Sequence, residues 1–186
     1  MFEELLIKIA QSLTAHHIPY MIIGGQAVLR YGTPRLTKDI DITLGVNTDR
    51  LGQIIHIINH LQLKQLRSDT EEFVKKTMVL PVQDETSGIR IDFIFSFTPY
   101  EQQAIQKAES VRLKNIEIKF ATVEDLIIHK IFSGRPRDIE DIKSVILKHP
   151  DFDQTYVQKW LTEFDRTSET PSFLKTFQEI VKMLIP

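Results

Sequence analysis

Hydrophobic and polar positions along the first third of the chain predict alternating helices and strands. Apolar residues recur every three or four positions over residues 2–15 and 48–62, a spacing that places them on one helix face. Between these helices, the apolar run at 19–23 predicts a buried strand. GQAVLRY predicts a short helix that ends at Gly32, and DIDITL predicts a strand over 39–44.

The rest of the chain predicts strands first and helices afterwards. Extended segments near 73–82 and 88–96 are joined by the polar cluster QDETSG, which favours a β-hairpin. A short helix near 99–108 and a smaller hairpin in VRLKNIEIKF follow, and Thr122 has the position of an N-cap for the helix VEDLIIHKIF. After a break at Gly134, further helices are predicted over about 136–148, 153–165 and 171–184.

This order of elements predicts an α+β fold, with a mixed β-sheet flanked by helices and additional C-terminal helices. The expected division is a core at 1–121 and a C-terminal helical region at 122–186 packed on the core, with one single domain as the alternative. A chain of 186 residues that is 42% hydrophobic is long enough to bury one sizeable core.

Two aspartates stand on the strand predicted at 39–44. Asp39 and Asp41 are interleaved with Ile40 and Ile42, so an extended chain directs both carboxylates to one face and both isoleucines to the other. Carboxylates about 6.5 Å apart along the backbone can share two metal ions roughly 3.5–4 Å apart. Such oxygen ligands favour Mg²⁺ or Mn²⁺, and the chain has no cysteine to favour a softer metal. The alternative is a solvated strand face without a metal.

A glycine turn precedes this strand. Gly24 and Gly25 follow the predicted strand at 19–23 and open the short helix. Backbone N–H groups at a helix start can hold a triphosphate, and glycine lets a ligand approach the main chain closely. An ordinary strand-to-helix turn is the alternative. Polar residues nearby that could orient phosphate or acceptor are Arg30, Arg35, Thr37 and Lys38.

A third aspartate, Asp92, lies in the apolar segment IRIDFIF. A charge in this context is costly to bury unless a cation or another group compensates it. The predicted hairpin would carry Asp92 beside Asp39 and Asp41, where it could help to activate a nucleophile. Alternatively, Asp92 forms a salt bridge with Arg90, which lies on the same strand face.

The Gly-Gly turn, the short helix, Thr37, Asp39-Ile40-Asp41 and the later Asp92 together resemble the polymerase-β-type nucleotidyltransferase superfamily. The resemblance implies a nucleotidyltransferase-type core with an NTP substrate. In it, Asp39, Asp41 and Asp92 are both the catalytic residues and the metal ligands. Small members of the superfamily commonly carry Gly-Ser where this chain has Gly24-Gly25, so a hydroxyl that could touch phosphate is missing here.

A second block, VEDLIIHKIFSGRPRDIEDI, resembles the segment after the core in a subgroup that contains abortive-infection (type IV toxin–antitoxin) toxins. By this resemblance Lys130 would face the cleft, and its ammonium suits a triphosphate. Arg135 or Arg137 could bind phosphate oxygens with two hydrogen bonds. The alternative is an interhelical salt-bridge cluster in which Arg137 pairs with Asp138 or Asp141 and fixes the packing.

Charge and hydropathy narrow the choice of partners. The formal net charge of −2 lacks the strong positive charge of a dedicated nucleic-acid binder, so any RNA contact must be local. There is no long apolar run and no basic, hydrophobic leader, which predicts a cytoplasmic protein without a membrane partner.

The leading hypothesis is a Mg²⁺- or Mn²⁺-dependent enzyme that transfers NMP from an NTP such as ATP to a hydroxyl acceptor. Gly24, Gly25, Thr37, Lys38, Lys130 and Arg135 would contact the nucleotide. The acceptor can be tRNA or another RNA, a protein, or a small hydroxylated molecule. A toxin–antitoxin component with an antitoxin partner is one setting for this activity. The alternative hypothesis is a non-catalytic interaction module of such a pair on the same scaffold.

Overall fold

A computed structural model describes residues 2–184 of the chain. The helices are α1 Phe2–Ala15, α2 Gly24–Tyr31, α3 Leu51–His60, α4 Thr70–Thr77, α5 Pro99–Lys107, α6 Val123–Ser133, α7 Pro136–Lys148, α8 Gln154–Thr167 and α9 Phe173–Leu184. The strands are β1 Tyr20–Ile23, β2 Asp39–Leu44, β3 Lys64–Gln65, β4 Val79–Gln83, β5 Arg90–Phe95, β6 Glu109–Leu113 and β7 Ile116–Phe120.

These strands form one sheet in the order β3-β4-β5-β2-β1-β7-β6. β2 pairs with β5 and β1 pairs with β7 in parallel, whereas the other neighbours pair antiparallel. The predicted α+β class, with a mixed sheet, helices and additional C-terminal helices, is confirmed. Its central feature for function is that β2 and β5, which are distant in sequence, lie side by side.

The alternation of acidic and apolar residues in β2 places them on opposite faces of the strand, as predicted. Ile40 and Ile42 are fully buried, whereas Asp39 is exposed and Asp41 is partly exposed. An apolar face that enters the core therefore fixes the register of the strand and leaves the carboxylates on the other face.

The ends of α6 also follow from the sequence. The Thr122 hydroxyl accepts a hydrogen bond from the backbone N–H of Asp125, as an N-cap does. Gly134 ends the helix with φ at 62°, in the left-handed region that favours glycine. The predicted cap and the predicted break are both confirmed.

The strand predicted from residue 73 is wrong in its first half, because Thr70–Thr77 forms α4. Glutamates occupy the first turn of this helix and lysines the last, which suits the helix dipole. Met78 then adopts a left-handed conformation, and only Val79–Gln83 pairs with β5 as the predicted hairpin. The helix predicted over 48–62 is shorter, since Thr48–Arg50 is a 3-10 turn before α3.

The described residues group into two compact units. The first contains the sheet, with the described residues up to Gln26 and Thr37–Phe120. Its fully buried side chains include Ile9, Leu13, Met21, Ile40, Ile42, Ile54, Ile57, Phe93 and Phe95.

The second unit contains Ala27–Leu36 and the described residues from Ala121 onward. Its fully buried side chains include Ile127, Ile128, Val157, Leu161 and Phe177. Residues 27–36, which the sequence assigns to the core, thus group with the second unit. The division of the chain into two domains stays a prediction. Within residues 2–184, no helix combines the length and the hydrophobicity that crossing a bilayer requires.

Candidate active site

The three candidate acids lie on two neighbouring parallel strands. Asp41 of β2 is the register partner of Asp92 of β5, and Asp39 is the register partner of Arg90. Register partners in a sheet share a face, and so do residues two positions apart on one strand. Asp39, Asp41, Arg90 and Asp92 therefore form one group, which we call the strand charge block. The expectation that the hairpin carries Asp92 beside the first two acids is confirmed.

Within the strand charge block, Arg90 binds Asp92. Its Nε donates a hydrogen bond to Oδ1 of Asp92 at 2.9 Å, and the side chains are 49% and 20% exposed, respectively. The hydrogen bond to Asp92 raises the pKa of Arg90, and the negative charges of Asp39 and Asp41 act in the same direction. The salt bridge that the sequence offered as an alternative role for Asp92 is therefore present.

The three acids of the block could provide ligands for a hard divalent cation, because they present carboxylate oxygens on a partly exposed face. Among residues 2–184, however, no three His, Cys, Asp or Glu side chains converge closely enough to hold a metal ion as they stand. In this conformation Asp92 is engaged by the Arg90 guanidinium rather than directed at a shared cation position. The metal-ligand roles of Asp39, Asp41 and Asp92 stay predictions.

Gly24 provides space for the carboxylate of Asp41. Its φ of +64° lies in the left-handed region, and a Cβ at this position would lie 1.9 Å from Oδ2 of Asp41. Any other residue would be strained and would also push the carboxylate away. Glycine is therefore required at position 24 because it lets the main chain of the turn approach Asp41 closely. The spacing of residues in the sequence did not reveal this requirement.

Gly25 has a different neighbour, Thr37. A Cβ at Gly25 would lie 2.3 Å from Oγ1 and 2.9 Å from Cβ of Thr37, and Gly25 is buried. Thr37 donates to the carbonyl oxygen of Asp39 at 3.5 Å, a length at which a hydrogen bond is weak. The Thr37 side chain therefore occupies the space that a side chain at Gly25 would need, and the contact of Gly25 with nucleotide stays a prediction.

The other basic candidates near the turn differ in their surroundings. Lys38 is exposed. The Arg30 guanidinium lies over the Tyr31 ring, 5.0 Å from its centroid. Arg35 binds Asp141 with two hydrogen bonds, from Nε and from one terminal nitrogen, each at 2.9 Å.

In the second unit, four charged residues of the second sequence block form a buried ion-pair network together with Arg35. We use this name for Arg35, Lys130, Arg135, Asp138 and Asp141. Lys130 Nζ lies 2.5 Å from Asp138 Oδ1 and 2.9 Å from Asp141 Oδ2, and its side chain is 6% exposed. A salt-bridge cluster therefore forms at Asp138 and Asp141, with Lys130, Arg135 and Arg35 at the carboxylates instead of the expected Arg137. The position of Lys130 at the cleft and its contact with nucleotide stay predictions.

Both acids of the network are held ionised. Burial alone would raise the pKa of Asp138, but hydrogen bonds from Arg135 and Lys130 hold it at about 2. Burial likewise opposes ionisation of Asp141, and its hydrogen bonds with Arg35 and Lys130 lower its pKa. Arg135 binds Asp138 at 2.7 Å but is itself 72% exposed, so its guanidinium remains accessible to solvent.

Solved structures with this fold include nucleotide-transferring enzymes. The crystal structure of ANT(2″)-Ia in complex with adenylyl-2″-tobramycin matches at 18% identity and a TM-score of 0.59, over 89% of this chain and 98% of that chain. An antigenic nucleotidyltransferase-like protein from Paracoccidioides brasiliensis matches at 16% identity and a TM-score of 0.56, over 94% and 92% of the two chains. At these identities the likeness shows the fold.

A third solved structure, the lincosamide antibiotic adenylyltransferase LnuA with bound lincomycin, matches at 16% identity and a TM-score of 0.52, over 76% of this chain and 94% of that chain. No curated protein matches the sequence. A family model described as "Nucleotidyltransferase of unknown function (DUF6036)" matches residues 2–180, almost the whole chain. The chain therefore belongs to this nucleotidyltransferase family.

Proposed function

We propose that this enzyme transfers the NMP moiety of an NTP to a hydroxyl acceptor in a reaction that depends on Mg²⁺ or Mn²⁺. The observation that supports the proposal is the strand charge block, in which Asp41 and Asp92 are register partners beside Asp39. Asp39, Asp41 and Asp92 would hold the divalent ions. When bound, the ions would neutralise charge on the reacting phosphate and on the departing pyrophosphate.

The remaining groups would bind the nucleotide and prepare the acceptor. The triphosphate would lie at the turn formed by Gly24 and Gly25, with the Thr37 hydroxyl and the Lys38 ammonium as donors. Asp92 would accept the proton of the acceptor hydroxyl as that oxygen attacks the α-phosphorus. This role requires Asp92 to release Arg90, because the guanidinium donates a hydrogen bond to Oδ1 of this carboxylate.

For the second unit we propose two different contributions. Arg135 would contact a phosphate directly, because its guanidinium is largely exposed. Lys130 would act through the packing of the buried ion-pair network, because both carboxylates at its ammonium are already within 3 Å.

The test is label transfer with purified protein, each of the four α-labelled NTPs in turn, Mg²⁺ or Mn²⁺, and bulk tRNA or bulk protein. The double variant Asp39→Ala/Asp41→Ala should lose metal-dependent transfer, and Asp49→Ala, which removes an exposed acid outside the block, should retain it. Transfer that survives in the double variant would refute the proposed site. The four NTPs also identify the preferred base.

A small hydroxylated acceptor is a second candidate. It is favoured by the likeness of the fold to ANT(2″)-Ia and LnuA, which are solved in complex with adenylyl-2″-tobramycin and with lincomycin, respectively. An added assay arm with an aminoglycoside or a lincosamide distinguishes this acceptor from RNA and protein by the mass of the labelled product.

We also propose a toxin–antitoxin setting, because the second sequence block resembles that of abortive-infection toxins. An antitoxin should then suppress both growth arrest and label transfer. If catalysis is vestigial, as the interaction-module alternative holds, partner binding should raise the melting temperature whereas Mg²⁺ with NTP should not.

A further inference from the structure

Arg90 is the one position of the strand charge block that the proposed chemistry does not use. The neighbouring strands lie about 4.8 Å apart and alternate residues on one strand about 6.5 Å apart, so the three carboxylates are close enough to repel one another. The Arg90 guanidinium is the positive charge within this block, and it contacts Asp92 directly while standing beside Asp39 in register.

We infer that Arg90 is an internal counter-ion of the metal site: it balances the carboxylates before a divalent cation binds, and it gives up Asp92 when the cation arrives. The inference rests on the proposed function. In the metal-free protein the guanidinium offsets the repulsion between Asp39, Asp41 and Asp92. In the loaded protein the same carboxylate oxygens would be metal ligands, so Arg90 and the cation compete for Asp92.

The exposure of Arg90 makes this exchange feasible. Half of its side chain is open to solvent, whereas Asp92 is largely covered. The long side chain can therefore swing its charge into water without leaving an unpaired charge buried. Asp92 can exchange partners while the strand backbone stays in place. The cost to the protein is a weaker affinity for the metal than the three acids alone would give.

The experiment is Mn²⁺ binding by the free protein, measured by electron paramagnetic resonance and by calorimetry without nucleotide. Arg90→Gln should bind Mn²⁺ about tenfold more tightly than the wild type, because one nearby positive charge is removed. Arg90→Lys, which keeps the charge, should stay close to wild type. In EDTA, Arg90→Gln should melt at a lower temperature than the wild type, and saturating Mn²⁺ should reverse that difference.

Arg67→Gln is the matched control. Arg67 pairs with Asp69, also two residues away, at 2.8 Å between Nε and Oδ1, and both residues lie outside the strand charge block. This variant makes the same change in net charge, so an effect of total charge would appear in both variants. We expect the Mn²⁺ affinity of Arg67→Gln to equal that of the wild type.

Two results would contradict the inference and separate it from the proposed function. If the wild type binds Mn²⁺ and Arg90→Gln binds it no more tightly, the counter-ion role is wrong while the metal site stands. If neither protein binds Mn²⁺, both the counter-ion role and the metal-dependent part of the proposed function are wrong. Should Arg90→Gln fail to fold in EDTA, refolding by Mn²⁺ supports the role and its failure refutes it.

Discussion

The strand charge block and the buried ion-pair network both combine acids with basic residues, yet they treat charge differently. In the network, Asp138 and Asp141 are almost completely buried and each contacts two cationic groups. In the strand charge block, three carboxylates share a partly exposed face with one guanidinium. The network is saturated, whereas the block has negative charge in excess.

This difference separates a scaffold from a candidate reaction centre. A buried charge that lacks a partner is costly, so a saturated network fixes packing and has little capacity to bind anything else. Excess charge on an accessible face is tolerated by water and is available to an incoming cation. The comparison predicts that substitutions at the candidate site in the first unit lower catalytic activity, and that substitutions in the network lower the free energy of unfolding.

The largest effect should come from the contact between Gly25 and Thr37. A methyl group at Gly25 would lie 2.3 Å from the Thr37 hydroxyl, so Gly25→Ala must displace it. If this hydroxyl donates to a phosphate that becomes more negative during transfer, the variant should lose between about a hundredfold and a thousandfold in kcat/KM. The measurement is steady-state label transfer, with circular dichroism to check the fold.

A double variant that moves the hydroxyl from position 37 to position 25 tests the same hydroxyl by restoring it. Gly25→Ser/Thr37→Gly returns a hydroxyl to the shared space, and Thr37→Gly removes the Cβ that would lie 2.9 Å from the new side chain. It should recover much of the activity that Gly25→Ala/Thr37→Gly lacks, because these two variants differ by one oxygen. Equal activity in both would mean that the hydroxyl takes no part in phosphate binding.

The sequence predicted the strand charge block because its signals are local. The alternation Asp39-Ile40-Asp41-Ile42 specifies a strand and the face of each side chain, and the same rule places Arg90 and Asp92 on one face. The rule does not determine which of two neighbours an acid will contact. The sequence therefore leaves both the metal role and the salt-bridge role of Asp92 open, and the structure shows the salt bridge.

Other features depend on contacts between distant residues. Arg35 and Asp141 are 106 positions apart, and Thr37 meets Gly25 through a turn whose geometry the sequence does not specify. Neither contact leaves a periodic signal. Residues 73–77, predicted as a strand, belong to α4. Val74 is buried, which an extended pattern fits equally well, whereas the acidic start and basic end of α4 indicate a helix.

The sequence did contain a signal for the burial of Lys130. Lys130 follows Leu126 by four positions and Ile127 by three, which places all three side chains on the same apolar face of α6. Resemblance to a family implies a lysine that faces the cleft, and helix periodicity indicates a buried one. The periodicity agreed with the structure because it depends on the neighbours of this lysine in this chain.

Lys130→Met should destabilise the protein by about 3 kcal/mol, because it leaves two buried carboxylates with one cationic partner fewer each. Denaturant unfolding measures this loss. The control is Lys143→Met on α7, where Lys143 pairs with the exposed Glu140 and should cost less than about 1 kcal/mol. A Lys130→Met protein that unfolds like the wild type but no longer binds NTP would show that Lys130 is a nucleotide ligand instead.

The smallest effect on stability is expected at Arg135, the exposed end of the buried ion-pair network. Arg135→Ala should lower the free energy of unfolding by less than about 1 kcal/mol, because a pair with one solvated partner contributes little. If Arg135 also contacts a phosphate, the same change should weaken NTP binding by about tenfold, as measured by calorimetry with a non-hydrolysable NTP. The control is Arg166→Ala, since Arg166 is an exposed arginine that pairs with an acid three positions away, Glu163, and this change should leave the affinity unchanged. If Arg135→Ala lowers stability but not NTP affinity, Arg135 has only a structural role. Every residue of the buried ion-pair network would then be structural, including the one that is exposed to solvent.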